Sequence, residues 1–241
     1  FNLKDQDGNP VYGKLELFDA EGNSAYPAVR FCGDSIYQAK EEGLIETEIA
    51  PGEYKAVVYG EGYWFYSNPV EVKANTSDGD QNVTITMEYS APEGWLSGDL
   101  HHHANKNDAF ADPEDAIPSM MAASLDVALI TDHDFTVNNA KAYELAGEYG
   151  MTGFIPSEEI SCSWSHFNVI PLNESAYEHF KDVNQENTIM DQFSQLPEFI
   201  KETHDTGAAI TANHPWQSYG LFYAAVYGSI PGGYVDDYDT I

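Results

Sequence analysis

The stretch with the densest reactive chemistry is Trp95-Leu96-Ser97-Gly98-Asp99-Leu100-His101-His102-His103-Ala104-Asn105-Lys106-Asn107-Asp108, where three imidazoles and two carboxylates crowd into a segment that reads as strand running into loop. Side chains alternate across a strand, so His101 and His103 point to one face and His102 to the other. A His-x-His pair aims two nitrogens at one point, where a borderline metal ion can sit. By itself the triplet also suits a tag remnant or a polar strand edge, but it is internal and follows an ordinary Trp-Leu-Ser-Gly-Asp-Leu run.

Similar groups recur downstream. The apolar run from Asp126 to Thr131 delivers Asp132-His133-Asp134, which packing does not explain, although a turn with a capping aspartate reads the same way. Thr152–Pro156 leads into Ser157-Glu158-Glu159-Ile160-Ser161, where alternation lets only one glutamate face a common site. His166 heads the apolar run Ser165–Ile170, and Ala208–Ala212 delivers Asn213-His214-Pro215. In α/β folds, catalytic groups gather in this way at the carboxyl ends of strands. His204 falls in the last turn of an expected helix and is read as structural, because that end favours a cation. His179 is read as a solvated loop residue.

The elements that must position these groups change character along the chain. From Trp95 onward, strand-like runs alternate with helical ones, the pattern of an α/β layered or barrel domain. One helix is expected to open at Asp112-Pro113-Glu114-Asp115, with Pro118 arguing against a straight course. A second spans Asn138 to Tyr149 and closes at Gly150. A third shows the face Ile189, Phe193, Leu196 and Ile200, interrupted by Pro197 and closed near Gly207. Residues 173–188 read as loop. Residues 1–90 show short alternating runs at Lys14–Phe18, Tyr54–Tyr59, Val70–Val72 and Val83–Met87, broken by turn residues, and predict a small all-β sandwich. The turn-prone Ser90-Ala91-Pro92-Glu93-Gly94 separates 1–90 from a second domain, 91–241.

Forty acidic residues against ten basic ones give a net charge of −30 over 241 residues. That charge argues against long nucleic acids and anionic membranes as partners and suits a secreted, cell-surface or high-salt protein. No run approaches the roughly 18 apolar residues of a membrane span, and no signal peptide is visible; the chain opens at Phe1, so residues upstream of it are expected to have been removed. With only Cys32 and Cys162, neither a disulfide scaffold nor a cysteine zinc finger is expected. Both are read as small buried residues, a single bridge being the alternative.

In order, these segments resemble the polymerase-and-histidinol-phosphatase (PHP) superfamily of metallohydrolases, particularly its carbaryl-hydrolase-like branch. Gly98-Asp99-Leu100-His101-His102-His103 resembles the first motif, Asp108 stands at the aspartate that follows it, and Ile130-Thr131-Asp132-His133-Asp134 matches the second. Ser157-Glu158-Glu159 resembles a Gly-x-Glu motif with serine in place of glycine, and His166 and Asn213-His214-Pro215 match the remaining histidines. The resemblance implies an α/β fold, a distorted (β/α) PHP-type barrel holding two or three divalent ions of zinc, manganese or iron. His101, His103 and Glu159 would bind one ion, Glu159 would bridge to a second held by His166 and His214, and Asp108 and His133 would begin a third site. The family's later Asp-x-His pair is not reached before Tyr238-Asp239-Thr240-Ile241, so the barrel is expected to be incomplete at its carboxyl terminus. A missing segment or a partner subunit would then cover its open edge. The turns Asp7-Gly8-Asn9-Pro10-Val11 and Ala50-Pro51-Gly52-Glu53-Tyr54 resemble carboxypeptidase-regulatory-like and transthyretin-like sandwiches.

The expected function is metal-dependent hydrolysis of a small-molecule phosphoester by a metal-bound hydroxide. Asp132, Asp134 and His102 would orient ligands or shuttle protons. Carbamate, ester or amide substrates are the alternative within hydrolases. A non-catalytic surface binding protein with a structural or vestigial metal site is the alternative outside them.

Overall fold

The computed structural model describes residues 1–25, 36–38, 42–60, 65–75, 79–89, 93–105, 109–162, 165–174, 176, 196–218, 220–227 and 239. Asp108, Cys32 and His179, and with them Ile189 and Phe193 of the expected third helix, lie outside those residues. The chain divides into two compact units, Phe1–Ser97 with Ile117–Asp126, and Gly98–Ala116 with Val127–Ile241.

The first unit carries β1 (Asn2–Lys4), β2 (Lys14–Phe18), β3 (Ile36–Gln38), β4 (Gly52–Tyr59), β5 (Phe65–Ser67), β6 (Val70–Ala74) and β7 (Thr84–Tyr89). They form one sheet in the order β1-β7-β5-β4-β2-β3, with β6 also paired to β4. Alternation along the strands supplies a core of Leu3, Leu15, Leu17, Ala56, Val58, Val72, Ile85 and Met87 with Ile45. Both β5 and β6 pair with the edge of β4 that faces away from β2. Between Tyr59↔Tyr66 and Ala56↔Val70 the register slips by one residue, at the bulge that holds Pro69. A proline there removes no ladder donor that the sheet needs.

The second unit carries β8 (Val127–Ile130), β9 (Gly153–Pro156), β10 (Glu158–Cys162), β11 (Ser165–Ile170) and β12 (Ala209–Ala212), with helices α2 (Asn139–Glu148), α3 (Leu196–Asp205) and α4 (Leu221–Tyr227). Helix α1 (Pro113–Ala122) runs on through Pro118, and Pro197 sits in the first turn of α3, where proline costs no intrahelical bond, rather than interrupting it. Helix α2 ends before Gly150, which takes φ +71° as a helix-terminating glycine does. Helix α3 buries Leu196, Phe199, Ile200 and Thr203, a single stripe at i, i+3, i+4 and i+7. Phe199 meets Phe167 of β11 with ring centroids 5.9 Å apart, and each such fully buried side chain stabilises the fold by about 1.5–3 kcal/mol. The surrounding core includes Ile160, Cys162, Val169, Ile210, Ala212 and Leu221.

The expected succession of βα units holds for β8-α2-β9, a parallel pair, and breaks at β10–β11, which is an antiparallel hairpin. The hairpin reverses the chain, so a residue at the start of β11 lies at the same end of the sheet as residues following β8 and β12. The register of β8 on β9 continues past both strands to the bridge His133↔Glu159. On the other side of β8, the segment after Gly98 runs parallel to it through the bridge Gly98↔Val127 and the bond from Thr131 N to His102 O. Residues 99–104 are not themselves ladder strand, although the sequence reads so; Thr131 Oγ1 accepts from His102 N instead. Among the described residues no helix is long and apolar enough to cross a membrane.

Candidate metal centre

Glu159 is fully buried, and its carboxylate is the point on which the other groups converge. Its Oε2 lies 3.2 Å from His101 Nε2, 3.1 Å from His103 Nε2 and 3.1 Å from His133 Nδ1. Its Oε1 lies 3.2 Å from His166 Nδ1, 3.3 Å from His214 Nε2 and 2.8 Å from Asn213 Nδ2. The rings crowd one another: His103 and His133 stack with centroids 4.5 Å apart, and His101 Nε2 and His103 Nε2 are 2.9 Å apart.

Strand geometry explains the arrangement. On β10 and β11, Glu159 stands opposite Asn168 and Ser161 opposite His166, so these four share a face. The opposite face carries Ile160, Cys162, Phe167 and Val169 into the core. Alternation turns Glu158 to the other face, so of two adjacent glutamates one meets five histidines and the other is buried away from them. Burial, followed by the nearby Asp134, pushes the Glu158 carboxyl up to about 8. Burial acts on Glu159 in the same sense, but hydrogen bonds from His101, His103 and His166 outweigh it and hold that carboxyl far below the usual range. For His214, burial is the larger effect and lowers its pKa, against the pull of Glu159.

Two backbone positions at the centre adopt positive φ without being glycine, Asp134 at 53° and His214 at 28°. Such conformations cost of order 1–3 kcal/mol each and persist where the surroundings over-determine them. At Asp134 the restraint is visible, since Oδ1 accepts from Ser161 N and its own N–H donates to Glu159 O. After His214, Gln217 N donates to the His214 carbonyl, and Phe222 N and Tyr223 N both donate to the Pro215 carbonyl. Gly220 closes that elbow: a Cβ there would stand 2.5 Å from His214 O and from Pro215 C and O.

The remaining residues singled out from sequence fall into place around this centre. His102 points away from Glu159, its Nδ1 3.7 Å from Asp99 Oδ2. Asp132 is buried and accepts from Ala104 N at 2.8 Å and from Asn138 Nδ2 at 2.6 Å, so it fixes the chain just after His103. Burial raises its pKa, and the Asn138 bond opposes that rise. His204 lies in the last turn of α3 and bonds Asp239 at 2.9 Å. Sequence reading passed over Ser161, whose Oγ lies 2.6 Å from His133 Nδ1, as well as Asn168 and Asn138. The period of two along β10 and β11 marks the first two, since each lies two residues from a singled-out ligand.

Two sets of donor atoms lie close enough to share an ion: His101, Glu159 and His214, and His103, His133 and Glu159, each within 4.8 Å of one another. This grouping pairs His101 with His214 and His103 with His133, where the sequence resemblance pairs His101 with His103. Imidazole and carboxylate donors around one buried anion suit zinc, manganese or iron, so the donor set fits the ions that the resemblance implies.

No family model matches the chain, and no curated protein matches it. Among solved structures it is similar to a two-domain protein from Bacteroides vulgatus containing a predicted PHP-like metal-dependent phosphoesterase, at 21% sequence identity and a TM-score of 0.40, over 51% of this chain and 36% of that one. The likeness thus spans about a third of that protein's length, and the functional reading rests on the geometry of the centre.

Proposed function

We propose that the chain is a metal-dependent hydrolase of the PHP type, acting on a small-molecule phosphoester. The observation that carries this reading is the convergence of five imidazoles from four separate segments on the two oxygens of one buried carboxylate. Burying a carboxylate costs several kcal/mol unless it is paired, and imidazole nitrogens gathered around a buried carboxylate are the donor set that a divalent cation takes. His101, His103, His133, Glu159, His166 and His214 would hold divalent ions, with Asp108 of the same motif series as a further ligand. A bound pair of ions supplies Lewis-acid polarisation of the substrate's phosphoryl oxygen and an activated water.

The protein's own groups position and insulate this chemistry. Glu159 belongs to both donor sets, with Oε2 toward His101, His103 and His133 and Oε1 toward His166 and His214, and so would suit a place shared between two ions. Ser161 Oγ, which also donates to Glu159 O, orients the His133 ring. Asp132 and Asp134 act through the backbone, holding Ala104 and Ser161 in place. His102, paired with Asp99 at the rim, is the group available for proton exchange with solvent. Hydrolysis of an uncharged ester, amide or carbamate is the second reading, favoured by the net charge of −30, which repels anionic substrates at long range.

Elemental analysis of the purified protein, followed by assay against p-nitrophenyl phosphate, a phosphodiester and a carboxylate ester, tests these readings together. Metal with phosphoester turnover supports the first, and metal with ester turnover alone supports the second. Metal without turnover of any substrate favours a binding protein, and absence of metal uptake removes both hydrolase readings.

A further inference from the structure

A line of buried amides runs from the centre to the segment that carries His101. Asn213 Nδ2 donates to Glu159 Oε1 at 2.8 Å and to Asn168 Oδ1 at 2.7 Å, and Asn168 Nδ2 donates to Leu100 O at 2.7 Å. The polarity is forced from both ends, because a backbone carbonyl and a carboxylate can only accept. Asn168 must therefore turn its nitrogen to Leu100, and Asn213 must commit both amide hydrogens to the line. Its own Oδ1 is left buried without a donor among the described residues, in a residue 3% exposed. Buried amide oxygens rarely go unpaired, so the arrangement is held against a local preference.

The placement gives the line a purpose. Toward β8, the segment 98–104 is held by Thr131 and Asp132. On its other side Asn168 holds it, one residue before His101. We infer that Asn168 and Asn213 are positioning residues of the metal centre, a single ladder that sets where the Glu159 carboxylate meets His101 and His103. The inference deepens the proposed function and rests on it. Each asparagine acts through Glu159 or the Leu100 carbonyl, and neither is assigned contact with substrate.

The test uses the full chain, stripped of metal, as Asn168→Leu, Asn213→Leu and the double variant. Zinc titration is expected to show an affinity about 10- to 100-fold weaker in each single variant, with the double no weaker than the weaker single, because one ladder is cut once or twice. Nitrogen-15 spectra of the histidine rings in metal-free protein provide a second readout. Signals from the five central rings are expected to move while that of His204 stays. Should the leucine variants not fold, Asn168→Ala, which removes the donation to Leu100 and the acceptor of Asn213 without adding bulk or charge, is expected to weaken zinc binding in the same sense. Unchanged affinity with unmoved ring signals would overturn the ladder, as would losses that add in the double variant. If the parent protein takes up no zinc, the metal reading falls, and the ring spectra then decide the ladder alone.

Discussion

The turns of the first unit and the centre of the second both stabilise carboxylates, by opposite means. Asp5 Oδ1 accepts from the backbone of Asp7 and Asn9, with Gly8 at φ +90°, and Asp19 Oδ1 accepts from Glu21 and Asn23, with Gly22 at φ +83°. The two turns, Asp-Gln-Asp-Gly-Asn and Asp-Ala-Glu-Gly-Asn, are the same device used twice, and every partner lies within four residues. Glu159 is instead satisfied by His101, 58 residues away, and by His214, 55 residues away. A locally paired carboxylate is a property of its own loop, whereas one paired at long range reports whether separate elements have come together. Losing the first should disturb one turn; losing the second should disturb the assembly.

The most damaging test of that contrast is Glu159→Gln. Zinc or manganese affinity is expected to fall by more than about 100-fold, beyond the loss typical of an outer partner, as measured by metal analysis after dialysis. Retained metal would mean that the imidazoles assemble without their shared anion. Glu158→Gln, one residue away, is expected to act in the opposite direction. Its carboxyl is raised from 4.5 to about 8, chiefly by burial. A raised carboxyl pKa destabilises the fold progressively as pH climbs above the unfolded value, and the penalty is complete once pH passes the folded value. The glutamine variant should therefore be more stable by up to about 3 kcal/mol at pH 7 and unchanged near pH 4. Denaturant midpoints equal to the parent's at both pH values would remove the burial account. Gly220→Ala, which pushes on the His214 carbonyl, is expected to weaken metal binding about 10-fold, as an outer-partner change does, while the β module stays folded. Normal affinity there would show that the elbow yields. The smallest effect belongs to Asp19→Ala, which should lower the thermal midpoint slightly and leave metal content untouched. A change in metal content would mean that the first unit is not as self-contained as its turns suggest.

The same contrast governs what could be read from residues alone. Period-two runs marked β2, β4, β6 and β7, an apolar run marked β11, and Gly150 and Gly207 marked helix ends, because each signal is local. The separation of Glu159 from Glu158 follows from strand geometry in the same way, whereas His101 and His103 reach Glu159 from a segment that is not ladder strand. Chain reversal at β10–β11 was not legible, since Ser161-Cys162-Ser163-Trp164-Ser165 carries no turn glycine or proline. Nor was the course of α1 through Pro118, where tertiary packing overrides a proline's local cost. The partnership of Asn168 with Leu100 spans 68 residues and leaves no periodic trace.

The shared register of β8 and β9, carried on to His133 and Glu159, separates loop length from ligand spacing. Residues added or removed between Thr136 and Met151 would bulge outward with α2 and return the chain to the same pairing, so this connection is free to vary. A single deletion within Gly153–Glu158 is different in kind: it would bring Ile160 opposite His133 and turn Ile160 and Cys162 toward the histidines. Homologous chains should accordingly differ in length across the helix and never by one residue along that strand.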